Sequence, residues 1–263
     1  AAPWITRKVA FMIEVLGLSR EVTKALLIDA AAGWDDTGNN AQKASLFGYG
    51  VVPTHINDIL KSKDNEIKFI IDTESRAYDT YNYGLPVPVD GGKHPFIAKA
   101  TLCYFPTCSI NQGVDYTSTE LDVYIGRIKK LGKNVGLKSI DKNVQSLEDG
   151  VARWVDEKTA RSVFRKWDNT KHIREVMNDK FVPRKAYDDD GLWGISVKKK
   201  SRINAKDDES LRFGLVVTLR EMDGVNRIND FIQRCSLRGW LVDRIDVENS
   251  LEVYAKSQEV LEL

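Results

Sequence analysis

The sequence contains few cysteines and histidines, the residues from which disulfides and many metal and nucleophilic sites are built. Among 263 residues there are three cysteines and three histidines, too few for a disulfide-stabilised scaffold. No apolar run reaches the ~18 residues that a membrane-spanning helix needs. Lys and Arg number 39 against 38 Asp and Glu. Because nucleic-acid binders and membrane-surface proteins usually carry a strong charge excess, we expect neither kind of partner.

The remaining composition is that of a folded, water-soluble protein. Hydrophobic residues make up 42% of the chain and charged residues 29%, and a chain of this length can bury a sizeable core. We expect no cofactor and no metal. The low cysteine content and the balanced charge favour a cytoplasmic location.

Three short segments suggest alternative sites, and for each we favour a structural interpretation. Cys103 and Cys108 have a C-x4-C spacing that zinc sites use, but no second pair of ligands is near. His94 precedes the same predicted strand and lies too far along it to activate either thiol. The acidic run 188–190 begins like a calcium loop but leads into a strand. The basic run 198–200 is followed closely by acidic residues, so we predict an exposed strand end.

The first helix is predicted at the start of the chain. Pro3 suits a first helical turn, where its missing N–H has no partner to lose. The apolar residues over 4–16 occupy more than one helical face, so we expect this helix to be mostly buried. If part of its apolar surface stays uncovered, residues 3–16 are a candidate site for a protein partner or for self-association.

Two further helices and a linker are predicted before residue 66. Gly17 marks the end of the first helix, and Ser19 is a suitable N-cap for a second helix over 20–31. A short helix is expected over 53–60. The polar segment 61–65 is the best linker candidate in the chain.

Beyond this linker the apolar residues alternate, which predicts strands. We expect a β-rich, β-sandwich-type accessory domain with helical insertions over residues 66–263, following a unit at 1–62. A helix is predicted over 226–237, and segments 79–95 and 129–149 are predicted connections. Segment 151–167 fits a helix or a strand. The predicted strands include residues 67–71, 96–104, 121–125, 193–197, 211–219 and 247–253.

A tyrosine-rich segment at 78–86 is the most suggestive surface feature. Exposed tyrosines are good recognition residues, so Tyr78, Tyr81 and Tyr83 form a candidate binding surface. Tyrosines also cover the cores of β-proteins, and we favour that structural interpretation.

The first sixty residues resemble a known family. Ala1-Ala2-Pro3 is similar to the end of the G-T-S-x-A-[AS]-P segment of subtilisin-like serine proteases, which opens a long buried helix. A second helix through Ile28-Asp29-Ala30-Ala31 and a loop follow in the same order. Residues 47–60 then resemble G-x-G-x-[VL]-[ND]-A-x-x-[AL]-[LV], the segment that closes the catalytic domain. Pro53-Thr54 stands where the family usually has Asn-Ala, which puts the start of the last helix in doubt.

The resemblance implies an α/β remnant at 1–62, the C-terminal end of a subtilisin-like catalytic domain. The nucleophilic serine would stand two positions before Ala1, and the catalytic Asp and His and the oxyanion Asn would also lie upstream. Ala1, Ala2 and Pro3 are then the remnant of the nucleophile motif, and no catalytic residue lies in this chain. A serine at a helix start has backbone N–H groups and the positive helix end beside a developing oxyanion.

The resemblance therefore implies the C-terminal portion of a subtilisin-like serine endopeptidase that acts on polypeptide substrates. Because the triad is absent, we expect this chain alone to be inactive. One alternative is a non-catalytic binding module that recruits a protein partner or a substrate. Another is a purely structural domain that supports the catalytic half.

Overall fold

The computed structural model describes residues 2–31, 46–75, 80–85, 96–108, 117–131, 134–139, 169–177, 193–201 and 210–237. Helices precede the strands, and one helix follows them. A π-helical segment, Phe11–Val15, continues the first helix. The α-helices are α1 (Ala2–Ala10), α2 (Arg20–Ala30), α3 (Asn57–Leu60) and α4 (Ile228–Leu237).

The junction between the first two helices is formed by the residues predicted for it. Gly17 has φ 66°, a left-handed conformation that glycine adopts without steric cost. The Ser19 hydroxyl accepts a hydrogen bond from the Val22 N–H at 3.3 Å and so caps α2. The predicted helix end and the predicted N-cap are both confirmed.

The first helix is less buried than its sequence predicts. Lys8, Phe11 and Met12 are buried, whereas Pro3 and Thr6 are exposed. In the described part of the chain, this helix packs against α2 and against the segment around residue 54, whose carbonyl accepts a hydrogen bond from Lys8. The prediction of a mostly buried helix is therefore wrong, because the neighbours in the described part of the chain cover one of its sides.

The described residues contain eight strands, which form two antiparallel four-stranded sheets. Sheet 1 has the order β1-β8-β3-β6 and sheet 2 the order β2-β7-β4-β5. The first strand pairs with the last, the second with the seventh, the third with the sixth and the fourth with the fifth. The strands are β1 (Glu66–Ser75), β2 (Thr80–Leu85), β3 (Phe96–Tyr104), β4 (Thr119–Leu131), β5 (Asn134–Ser139), β6 (Thr170–Met177), β7 (Trp193–Ser201) and β8 (Leu211–Glu221).

One apolar cluster contains side chains from both sheets and from α4. Sheet 1 contributes Leu102 and Leu215, sheet 2 contributes Val123 and Ile195, and α4 contributes Phe231. The four strand residues follow the alternation that predicted the strands, since every second side chain points to the same face. The predicted succession of helices followed by β-structure is confirmed.

A second apolar cluster joins the helices to the opposite face of sheet 1. It includes Met12 of the π-helical segment, Leu26 of α2, Ile59 of α3, and Cys103 and Val216 of the sheet. The helices thus cover the face of sheet 1 that points away from the first cluster, and we call this its outer face. Residues from both sides of the predicted linker at 61–65 belong to this second cluster.

Three of the described strands, β2, β5 and β6, lie where no strand was predicted. The prediction of a connection over 79–95 is wrong at its start, because β2 occupies Thr80–Leu85. The predicted connection at 129–149 is wrong in its first part, because β4 continues to Leu131 and β5 follows from Asn134. The sequence does not indicate β6, because its apolar residues do not alternate. On one face His172 contacts Thr101, and on the other Lys171 contacts Glu120. The segment 151–167, the acidic run 188–190, His94 and the predicted strand 247–253 lie outside the described residues.

Candidate functional site

A row of polar residues crosses the outer face of sheet 1 beneath α2. In the strand register Lys68 of β1 is opposite Thr218 of β8, and Thr218 is opposite Lys99 of β3. Two residues further along β3, on the same face, Thr101 is opposite His172 of β6. Register alone therefore brings together side chains from four strands that lie far apart in the sequence.

Asp29 of α2 inserts its carboxylate between these rows. Its side chain is 0% exposed. Its Oδ2 accepts a hydrogen bond from the Thr218 hydroxyl at 2.9 Å, and its Oδ1 accepts one from Thr101 at 3.4 Å. The ammonium groups of Lys99 and Lys68 lie 3.3 and 4.0 Å from Oδ2. We call Asp29, Lys68, Lys99, Thr101, His172 and Thr218 the Asp29 cluster.

Each lysine of the cluster also binds a backbone carbonyl near the end of a helix. Lys99 donates to the carbonyl of Asp29 itself at 2.7 Å, and Lys68 donates to the carbonyl of Ile59 in α3 at 2.9 Å. An acidic residue near a helix C-terminus opposes the helix dipole, whereas a cation there complements it. Lys99 therefore compensates both the carboxylate and the helix end.

The charges of the cluster do not balance, since two ammonium groups face one carboxylate. Burial lowers the pKa of Lys68 below its ordinary value of 10.5, and the positive charge of Lys99 lowers it further. The negative charge of Asp29 opposes both effects without cancelling them. The ammonium form of Lys68 is thus disfavoured in the folded protein.

His172 extends the cluster toward the segment at 46–56. Its Nδ1 lies 2.8 Å from the Thr101 hydroxyl oxygen, and its ring meets the ring of Tyr49 edge-on at 6.0 Å between centroids. Thr101 carries one hydroxyl proton. When Thr101 donates that proton to Asp29, the imidazole Nδ1–H must donate to Thr101, which fixes the tautomer of a neutral His172.

A second group of charged residues lies around β4 of sheet 2. Lys200 contacts Asp122 at 3.0 Å and Glu120 at 4.0 Å, and Lys171 of sheet 1 lies 3.5 Å from Glu120. The Tyr124 hydroxyl donates to Asp122 at 2.7 Å. Burial opposes the charged form of Lys200, but the hydrogen bond and charge of Asp122 outweigh it, so its pKa is raised. The carboxylates of Glu120 and Asp122 thus lie beside lysine ammonium groups in a structural ion network.

The chemistry of both groups is that of structural ion networks. Their carboxylates face lysine ammonium groups rather than an open position, which suits holding elements together better than transferring a proton to a ligand. Within the residues that the structure describes, no group of three or more His, Cys, Asp and Glu side chains is arranged to hold a metal. In the same residues, no helix combines the length and apolarity that crossing a bilayer requires.

The residues singled out in the sequence do not come together in the described structure. Ala2 and Pro3 form the exposed first turn of α1, and Ala1 lies outside the described residues. Tyr83 is half-buried against the apolar cluster of the sheets, and Tyr81 lies in β2 opposite Val197. Tyr78 lies outside the described residues. The tyrosine binding surface stays a prediction.

Neither Asp29 nor its partners were recognised as a site in the sequence. One local signal existed: Asp29 lies three residues after the buried Leu26, near the C-terminal end of its helix, where a carboxylate is unfavourable without a cation. The identity of the cations could not follow, because Lys68 and Lys99 stand in separate strands.

The three cysteines are reduced thiols, Cys103 and Cys235 buried and Cys108 exposed.

Comparison with known proteins gives little further information. No family model matches the sequence, and no curated protein matches it. Among solved structures, that of tomato aspermy virus determined by X-ray crystallography aligns with 61% of this chain and 80% of its own, at 9% identity and a TM-score of 0.23. So weak a likeness carries no argument about this protein.

Proposed function

We propose that this chain is the C-terminal portion of a subtilisin-like serine endopeptidase. The observation that carries the proposal is the succession at the start of the chain: α1 begins at Ala2, Pro3 lies in its first turn, and Gly17 and Ser19 separate it from α2. These elements occur in the order that the resemblance to the family implies. The short helix α3 then lies within the segment that resembles the end of the catalytic domain.

In this proposal the first turn of α1 is the part nearest to the chemistry. Its leading backbone N–H groups have no partner within the helix and make the positive end of the helix dipole. A serine just before this turn would present its hydroxyl beside donors suited to an oxyanion. The Asp and His of the triad and the serine would all come from upstream sequence, so the chain by itself has no proteolytic activity. Its cysteine usage supports a cytoplasmic protein.

The β-rich region is proposed to be an accessory domain with a jelly-roll sandwich. The pairing of first strand with last, second with seventh, third with sixth and fourth with fifth supports this, because it describes an antiparallel ribbon wound so that alternate pairs fall in alternate sheets. The apolar cluster between the sheets supports it as well. Such a domain hosts many functions, so the fold alone names none.

The proposal is tested by extending the gene upstream of Ala1 and labelling the product with a fluorophosphonate, which reacts with activated serines. We expect the upstream codons to encode G-T-S-x, the longer protein to label stoichiometrically and the present chain to stay unlabelled. Replacing the encoded serine with alanine is the matched control and should abolish labelling. An upstream sequence without that serine, or stoichiometric labelling of the present chain, would overturn the proposal.

A second candidate function is a binding module that recruits a polypeptide. The proposed jelly-roll strand order favours it, because lectin and capsid domains use the same double-sheet architecture for recognition. Immobilised chain should then retain unfolded casein, and an excess of soluble chain should slow casein cleavage by the longer protein. Casein that passes unretained and is cleaved at an unchanged rate would exclude recruitment of this class of substrate.

A further inference from the structure

Helix α2 is attached to sheet 1 at two places with different chemistry. At its first turn the helix backbone lies against Gly214 of β8, where a built Cβ would come within 2.4 Å of the Val22 nitrogen. Near its other end, Asp29 binds Thr218, two residues beyond Val216 on the same face of β8. The helix therefore runs along β8 between a close backbone contact and a buried ion network.

The second attachment depends on one carboxylate. The carboxylate of Asp29 faces both Lys68 and Lys99. It also accepts hydrogen bonds from the hydroxyl groups of Thr218 and Thr101. The other titratable group of the cluster, His172, reaches Asp29 through Thr101. Removing the negative charge would leave the buried ammonium group of Lys68 and the partly exposed one of Lys99 without the carboxylate that they share, which is unfavourable.

The same attachment determines where α1 lies. The π-helical segment, α2 and α3 share one apolar cluster with the sheet, and only residues 16–19 separate the end of that segment from α2. The Leu18 N–H also donates to the Met12 carbonyl at 3.0 Å, which tightens the junction. A shift of α2 on the sheet must therefore move α1 with it.

We propose that Asp29 is a positioning residue for the nucleophile: its ion network fixes α2, and through it α1, on sheet 1, so that the β-rich region sets the position of the helix that follows the catalytic serine. This inference rests on the proposed function. Sheet 1 would then help to determine the position of the catalytic serine without contacting the substrate.

The attachment itself is tested on the present chain, without reference to proteolysis. In Asp29→Asn we expect the amides of α2 to lose protection from hydrogen exchange by about 100-fold, with β4 and β7 unchanged. Asp72→Asn is the matched control. It makes the same chemical change on sheet 1 but removes only the exposed pair with Arg212, 2.9 Å apart, and should leave α2 protected. Unchanged protection of α2 in Asp29→Asn overturns the attachment.

If Asp29→Asn fails to fold, Thr218→Val replaces it, since it removes one hydrogen bond to Asp29 and keeps the size of the side chain. Here the expected loss of α2 protection is about fivefold to tenfold. Equal protection of α2 in wild type and in this variant overturns the attachment by the same criterion.

The consequence for the active site is tested in the longer protein. Asp29→Asn should lower kcat and the rate of fluorophosphonate labelling by about tenfold or more with KM nearly unchanged, because a displaced nucleophile harms chemistry more than substrate binding. Asp72→Asn should keep both rates. Normal labelling by an Asp29→Asn protein whose α2 has lost protection overturns the positioning role.

The two proposals fail in different ways. A wild-type longer protein that never labels contradicts the protease, and the positioning role falls with it, whereas the exchange result for α2 still decides the attachment. A wild-type protein that labels, with an Asp29→Asn variant that labels equally, leaves the protease intact and removes Asp29 from its mechanism.

Discussion

The backbone of Val22 lies directly on Gly214. A Cβ built on this glycine would be 2.4 Å from the Val22 nitrogen and 2.7 Å from its Cα, distances that no real side chain tolerates. The glycine is used here for close approach rather than for an unusual backbone conformation. It lets α2 begin in van der Waals contact with β8, an inner strand of sheet 1, and sets the height of the helix above the sheet.

Gly214→Ala should therefore displace α2. The new methyl group meets backbone atoms, which cannot rotate away, so we expect a loss of about 1–3 kcal/mol in the free energy of unfolding, measured by urea denaturation. Arg212→Ala, on the same face of the same strand, removes the exposed ion pair with Asp72 and the smaller electrostatic interactions with Glu21 and Glu74, and should change stability by less than about 1 kcal/mol. Equal stabilities of Gly214→Ala and wild type would contradict the close contact.

Ser19→Ala should destabilise the start of α2 by about 1 kcal/mol, because the Val22 N–H loses its acceptor. The measurement is the urea midpoint at constant slope. Ser236→Ala is a suitable control, since that exposed hydroxyl donates to the Ile232 carbonyl, which already lies within a helix. If both substitutions cost the same, the capping role of Ser19 is not supported.

The two lysines of the Asp29 cluster should respond in opposite directions. Lys99→Met leaves the buried carboxylate with its nearest cation removed and should cost about 3–5 kcal/mol. Lys68→Met removes an ammonium whose pKa is already lowered by burial, so we expect a urea midpoint at pH 7 equal to or above that of wild type. A large loss in Lys68→Met would show that its hydrogen bond to Ile59 outweighs its desolvation.

The stability difference between Lys68→Met and wild type should depend on pH. Because the folded-state pKa of Lys68 lies below the unfolded value, the folded protein releases this proton first as the pH rises. The penalty is complete below the lowered folded-state pKa and disappears as the pH rises from that pKa to the ordinary value of 10.5. Urea midpoints measured from pH 7 to pH 10 should therefore converge, and a constant gap would contradict the lowered pKa.

Phe231→Ala should release α4 from the strands. Phe231 is 4% exposed and stacks on Phe69 of β1 with ring centroids 5.5 Å apart. Its truncation should cost about 3–5 kcal/mol in the free energy of unfolding. Leu237→Ala on the same helix, at an 80% exposed position, should change stability by less than about 0.5 kcal/mol. Similar losses in the two variants would exclude Phe231 as the anchor.

Local signals predicted much of the fold and little of the candidate site. Strands β3 and β8 were predicted because every second residue is apolar on the face that joins the cluster shared by the two sheets, and Gly17 and Ser19 act through their own backbone and side chain. Strand β6 has polar partners on both faces and therefore carries no alternation. The sequence predicts more burial of α1 than the structure shows. Apolar residues on several faces of a helix do not determine how many of those faces contact neighbouring elements.

The sequence by itself determined the helix boundaries at residues 17–19, most of the strands, and the resemblance at 1–60 on which the proposed protease rests. Those features depend on residues close together in the chain. Only the tertiary structure decided that Asp29 meets Lys68, Lys99 and Thr218, because their side chains become neighbours through strand register and through the packing of α2 on sheet 1. The sequence around such a buried charge does not identify its partners, since they are distant in the chain and become neighbours when the chain folds.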